Sequence, residues 1–166
     1  MLLRLIVLLT LVTCSSTACG QSLVERAEKD ELYHAEDADA EMQRAFGQAS
    51  KGLQGFLATW RSPPTDASDF AVKVGLKAGD DTEYFWISPF REEGEGFKGV
   101  LNNQPRMVRD VAMGDEISFT RAEIVDWFYF SNGKMVGNFT ACAMLRREKE
   151  SDRIEFEKRF GLRCET

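Results

Sequence analysis

With 166 residues, 43% of them hydrophobic, and a formal charge of −6 from 27 acidic and 21 basic side chains, the chain is sized for one domain around one core. No basic stripe interrupts the acidic surplus, so little is available to neutralise phosphates, and nucleic acid and anionic lipid headgroups are excluded as natural partners. The single histidine, His34, lies in the charged segment 21–38, a tether ahead of the folded body, which excludes a Ser-His-Asp triad, a Cys-His pair or a His-rich zinc site inside that body.

Residues 1–20 have the layout of an export signal: Arg4, the apolar run LLRLIVLLTLV and the small-residue segment TCSSTACGQ. The run is shorter than the roughly 20 apolar residues of a permanent membrane helix. Two cleavages fit. A lipoprotein peptidase cutting before Cys19 leaves a diacylglycerol on its thiol; Ala18 and Thr17 suit that enzyme, whereas Ser16 stands where a branched apolar residue is usual. Cys14 has the better upstream residue in Leu11 and the worse neighbour in Thr13. An ordinary signal peptidase instead reads Ala18 and Gly20 as its small pair and releases a chain that starts at Gln21. Both cuts place the mature protein in the periplasm or lipid-anchored facing it, and the loss of Arg4 takes the charge from −6 to −7. Residues 21–38, QSLVERAEKDELYHAEDA, are charged and poor in large apolar groups, the composition of a flexible tether.

From Asp39 onward Met42, Phe46, Ala49, Leu53, Phe56, Leu57 and Trp60 recur at spacings of three and four, which predicts one apolar helix face, capped by Asp37 or Asp39 and ended by Pro63 and Pro64. Gly47, Gly52 and Gly55 each weaken it by about 1 kcal/mol against alanine, so packing has to hold it. The rhythm then turns to strands: FAVKVGL at 70–76, with Val72 and Val74 on one face and Lys73 on the other, the turn KAGDD, and EYFWISPF at 83–90 with Tyr84 and Trp86 opposite Phe85 and Ile87. REEGEG reads as a loop, GFKGVLN at 96–102 as a third strand, DEISFT as a fourth with Ile117 and Phe119 facing one way, and AEIVDWFYF at 122–130 as a fifth. Asn132-Gly133 is a type I′ hairpin signal that sends KMVG back alongside it. NFTACAMLRREKE reads as a helix capped by Asn138 or Thr140, and DRIEFEKRFGLR as a shorter one ending near Gly161. The expected fold is α+β: an N-terminal helix, an antiparallel sheet of about five to six strands, and C-terminal helices, in a single domain over 39–166.

The order FAVKV, EYFWIS, GFKGVLNNQP, GDEISF, EIVDWFYFSNGKMVGNFT resembles the YegJ-like family of unknown function, DUF2314, over residues 39–147. FKGVLNN, GDEISF and the DW pair with the glycine-threonine run after it are the telling pieces, and the tail after Glu148 lies outside the resemblance. The resemblance implies the fold and fits export; it brings no reaction, substrate or catalytic residue.

The chain has no phosphate-cradling glycine loop, and GEGF follows no strand-to-helix transition, so no cofactor or metal is expected. Glu92, Glu93 and Glu95 lack the spacing of a calcium loop and read as an acidic turn. Asp126, amid IVDWFYF, is the one candidate catalytic group, an acid or base working with Glu123 or Glu83; otherwise it faces solvent, bonds the backbone of a neighbouring turn or pairs with an arginine. Cys142 and Cys164 are the cysteines left after processing, a candidate disulfide in an oxidising compartment. Asn138-Phe139-Thr140 matches a glycosylation acceptor but reads better as a helix cap. Trp86, Asn102, Asp126 and Trp127 are the candidate binding residues. The rings of 84–90 and 127–130 point to both faces of the sheet, and the second face is either covered by the C-terminal helices or open to a peptide, glycan or protein. These features lead to an exported or lipid-anchored envelope protein that binds a protein or envelope component, one with a basic surface among them. The rival is a carboxylate hydrolase acting on envelope glycan or peptide, and a purely structural role is the third reading.

Overall fold

The computed structural model describes residues 24–25 and 39–164. The signal at 1–20, the lipidation candidate Cys19, His34 and nearly all of the tether lie outside the described residues. Helix α1 spans Ala40–Arg61, and of its two candidate caps Asp39 does the work, its carboxylate accepting from Glu41 N at 3.1 Å. The side chains of Met42, Ala45, Ala49, Leu53, Phe56 and Leu57 are buried along one stripe, as the spacing predicts.

Six strands follow: β1 Ala67–Ala78, β2 Asp81–Glu93, β3 Gly96–Leu101, β4 Glu116–Phe119, β5 Ile124–Ser131 and β6 Lys134–Gly137. They form one antiparallel sheet in the order β4-β3-β2-β1-β5-β6. The chain thus winds outward from β1 to β4, then returns to lay β5 against the free side of β1. Two expectations about the sheet are corrected. Arg91, Glu92 and Glu93 are the end of β2 and not a loop, because they pair with Lys98, Phe97 and Gly96 of β3; their polarity reflects exposure, not irregular backbone. Residues 121–123 are a 3₁₀ turn and not the start of the fifth strand. There Thr120 and Glu123 form a reciprocal capping box, the Glu123 carboxylate accepting from Thr120 N at 2.6 Å and from its hydroxyl at 2.8 Å.

The C-terminal part is α2, Phe139–Leu145, and α3, Glu150–Phe160. The single helix expected over 138–150 is therefore broken after Leu145. The break suits a sequence in which apolar residues stop at Leu145 and RREKE offers nothing to bury. Gly161 closes α3 with a φ of 66°.

The main core lies between α1 and one sheet face, where Val72, Val74, Phe85, Ile87 and Leu101 are sealed from solvent. Phe56 is its hub: its ring lies 5.0 Å from that of Trp127, 6.0 Å from Phe70 and 6.3 Å from Phe90. A smaller cluster joins Ala141 and Leu145 of α2 to Phe156 and Leu162, with Met135 of β6 against it.

Candidate functional site

Cross-strand register sets three chemically distinct residues in one row on the face away from α1: Lys73 of β1 pairs with Trp86 of β2 on one side and with Asp126 of β5 on the other. Alternation explains the row, since Val72, Val74, Phe85, Ile87 and Trp127 on either side of these residues all point into the core. The Lys73 ammonium lies 4.6 Å from the centroid of the Trp86 ring, a cation–π contact. It also donates to Thr140 Oγ1 at 2.6 Å.

Asp126 is fully buried. Its Oδ1 accepts from Trp127 N at 2.8 Å and Phe139 N at 3.3 Å; its Oδ2 accepts from Thr140 N at 2.8 Å and Thr140 Oγ1 at 2.7 Å. Two of these donors are the first two amides of α2, so a strand carboxylate supplies the helix cap from a distance. Neither Asn138 nor Thr140 does so with its own side chain. Asn138 holds the N-cap position in left-handed backbone, with φ 57° and ψ 48°, and makes no capping bond. It is buried, with its Oδ1 unpartnered and its Nδ2 3.3 Å from Met135 Sδ, so its amide is not offered for glycosylation. Burial pushes the Asp126 carboxyl above its ordinary value, against the pull of Lys73 and of the Thr140 and Trp127 donors.

The other carboxylates proposed for acid–base work are engaged elsewhere. Glu83 accepts three successive backbone amides of the β3–β4 connection, Arg106 N at 2.8 Å and Met107 N and Val108 N at 2.9 Å. Glu123 belongs to its capping box. Glu92 pairs with Arg61 at 2.5 Å, and Arg91 holds Glu116 and, at 3.7 Å, Glu93. The hydrogen bond from Arg91 draws the Glu116 carboxyl below its usual range.

Trp127 is a core residue: it is 6% exposed, its Nε1 donates to Ala49 O at 2.9 Å, and Phe56 stacks on it. Trp86 is half-buried on the second face, where the edge of Phe128 meets it at 4.8 Å and Phe130 continues the line at 6.0 Å from Phe128. Helix α2 therefore closes the Asp126 end of this face through Phe139 and Thr140, while Trp86, Phe128 and Phe130 are half-buried. Asn102 is exposed; its backbone N donates to Trp86 O at 2.9 Å, and Asn103 Oδ1 accepts from Trp86 N at 2.5 Å, so the Asn pair splints the tryptophan's backbone. Lys73 and Asn103 were not singled out from sequence as site residues, and Thr140 was read only as a helix cap or part of a glycosylation acceptor. A lone lysine inside FAVKV is the signal that could have drawn attention to the first.

The family described as "Uncharacterized protein conserved in bacteria (DUF2314)" matches residues 39–164, from the α1 cap to the last described residue. The chain belongs to DUF2314. The DUF2314 match extends past Glu148 to Cys164, so α3 and the second cysteine are part of the family domain and not an appendage of this chain. Among curated proteins, one from Neisseria meningitidis serogroup B named "Putative ankyrin repeat protein" is 32% identical over 139 residues, 79% of this chain and 55% of its own length. The Escherichia coli "Uncharacterized protein YegJ" is 34% identical over 80 residues, 48% of this chain and 52% of its own. The chain spans about half the length of the curated relatives it matches. No solved structure matches it.

Proposed function

We propose that this DUF2314 protein is an exported binding domain, which takes a protein or envelope component on the sheet face carrying Lys73, Trp86, Phe128 and Phe130 and performs no catalytic step on it. The observation that carries this reading is the aromatic row itself: three half-buried rings from two strands and a lysine ammonium, set in a sheet whose other face is already filled by α1. Rigid rings at low exposure are the side chains that anchor partners. Net charge gives weaker support, because residues 39–164 hold 20 acidic and 18 basic side chains, whereas 21–38 hold six acidic and two basic. A basic partner would meet the acidic segment more readily than the domain. The hydrolase reading takes no support from the geometry, since Asp126 has no surface to offer a substrate and Glu83 and Glu123 are each bound to backbone. Export rests on the leader's composition.

Two measurements test this. Mass spectrometry of the mature N-terminus is expected to find a lipidated Cys19 or a free Gln21; an uncut chain in the cytosol overturns export. Crosslinking in intact envelopes is expected to give a discrete adduct that the folded double variant Trp86→Ala/Phe128→Ala loses. The same adduct on both proteins rules out this face.

A further inference from the structure

We infer that the Cys142–Cys164 disulfide is an exchange site for anionic thiols and, through it, a latch on α3. The two cysteines are bonded at a sequence separation of 22, and both are half-buried, not sealed. Cys142 lines an open groove of about 340 Å³ between α1 and α2. Three cations, Arg44, Lys51 and Arg146, ring that groove against one acid, Glu41. In a chain of net charge −6 this local excess draws in a negatively charged thiolate and steadies the thiolates that exchange produces.

What the bond holds is slight. Within α3 only Phe156 is buried, and Ile154 is 59% exposed. Phe156 and Leu162 rest on Ala141 and Leu145, and one backbone bond, from Met135 N to Gly161 O at 3.0 Å, ties the end of the helix to β6. The main core beneath α1 contains no residue of α3. In the exchange, an incoming thiolate attacks Cys142 Sγ, the Cys142–Cys164 bond breaks, and Cys164 leaves as a thiolate that takes a proton from water. A second thiol, or the second group of a dithiol, then attacks the mixed disulfide, releases Cys142 and is itself oxidised to a disulfide. Two electrons pass from the thiol pair to the cysteines, and α3 is freed.

Three thiols of different charge test the site on the mature chain: mercaptoethanesulfonate, 2-mercaptoethanol and cysteamine. Each reduction rate is divided by the rate of the same thiol on the urea-unfolded chain, which cancels intrinsic nucleophilicity. At low salt the anionic thiol is expected to lead the cationic one by about tenfold. The lead is expected to vanish near about 0.5 M salt, and to reverse in Arg44→Glu/Lys51→Glu/Arg146→Glu. Equal ratios for all three thiols, or ratios that salt does not change, overturn the groove's part. Hydrogen exchange of Cys164→Ser tests the latch: amides of 150–160 are expected to exchange at least about tenfold faster while those of 124–131 keep their protection. Unchanged protection in α3 overturns the latch, and so does loss of protection in both segments, which would make the bond part of the core's own stability.

Discussion

Asp126 was conspicuous in the sequence because a carboxylate inside IVDWFYF has to be neutralised, paired or solvated. The sequence does not disclose its solution, since apart from Trp127 N the donors come from residues 139 and 140 and the ammonium from residue 73, brought together only by strand register and the β5–β6 hairpin. Replacing Asp126 with Asn exchanges one acceptor for a donor aimed at other donors and leaves the Lys73 ammonium without its nearby countercharge, at an expected cost of about 1–3 kcal/mol. The pH dependence has a definite sign. Unfolded, the carboxyl titrates near 3.8; folded, burial holds it higher. Between those values the native state keeps a proton that the unfolded chain has released, so this group's contribution is fully present below 3.8 and is lost as pH rises through the raised value. Urea unfolding at a series of pH values is expected to show an Asp126→Asn deficit that shrinks from about pH 4 toward neutrality; a deficit that widens would mean that Lys73 and the hydrogen bonds outweigh burial.

At the scale of elements, period and punctuation were enough for α1, β1 and the Asn132-Gly133 hairpin, because each is encoded within a few consecutive residues. Two of the misread boundaries share one cause: charge was taken for loop in Arg91–Glu93 and for helix in 146–149, although exposure alone accounts for the charge in the first. The three glycines of α1 show the same limit. From sequence they are equivalent, but a Cβ on Gly52 would stand 2.6 Å from Trp127 Cζ2, while Gly47 and Gly55 have nothing within 4 Å. Gly52 thus lets the indole lie against the helix and reach Ala49 O. Gly47→Ala and Gly55→Ala are each expected to stabilise the protein by up to about 1 kcal/mol. Gly52→Ala is expected to destabilise it by about 1–3 kcal/mol, since overpacking a ring in a filled core outweighs the propensity gain. Chemical denaturation of the three single variants distinguishes position from propensity.

For the whole molecule, the feature least legible in the sequence is the return of β5 to β1, a pairing between residues as far apart as Ala67 and Ser131 that depends on two register shifts, between Ser68 and Ala71 and between Lys73 and Val74. That return makes the binding face, because it sets Phe128 beside Trp86 across β1. It also leaves the β3–β4 connection, residues 102–115, as a long excursion beyond the sheet, with Met107 and Met113 among the most exposed apolar side chains described. Its ends are closed by Leu101 N to Asp115 O at 2.9 Å and Gly114 N to Leu101 O at 2.8 Å. Its middle is tied back by Glu83, which satisfies three consecutive amides from the strand that also carries Trp86. Removing that carboxylate leaves those amides to water and detaches the excursion between its closed ends. Glu83→Ala is therefore expected to make trypsin cut after Arg106 and Arg109 about tenfold faster, as a local opening independent of the core, while tryptophan fluorescence of the folded protein stays as it was. Unchanged cleavage would show that the apolar contacts of Val108 and Val111 with the main core hold the excursion without Glu83.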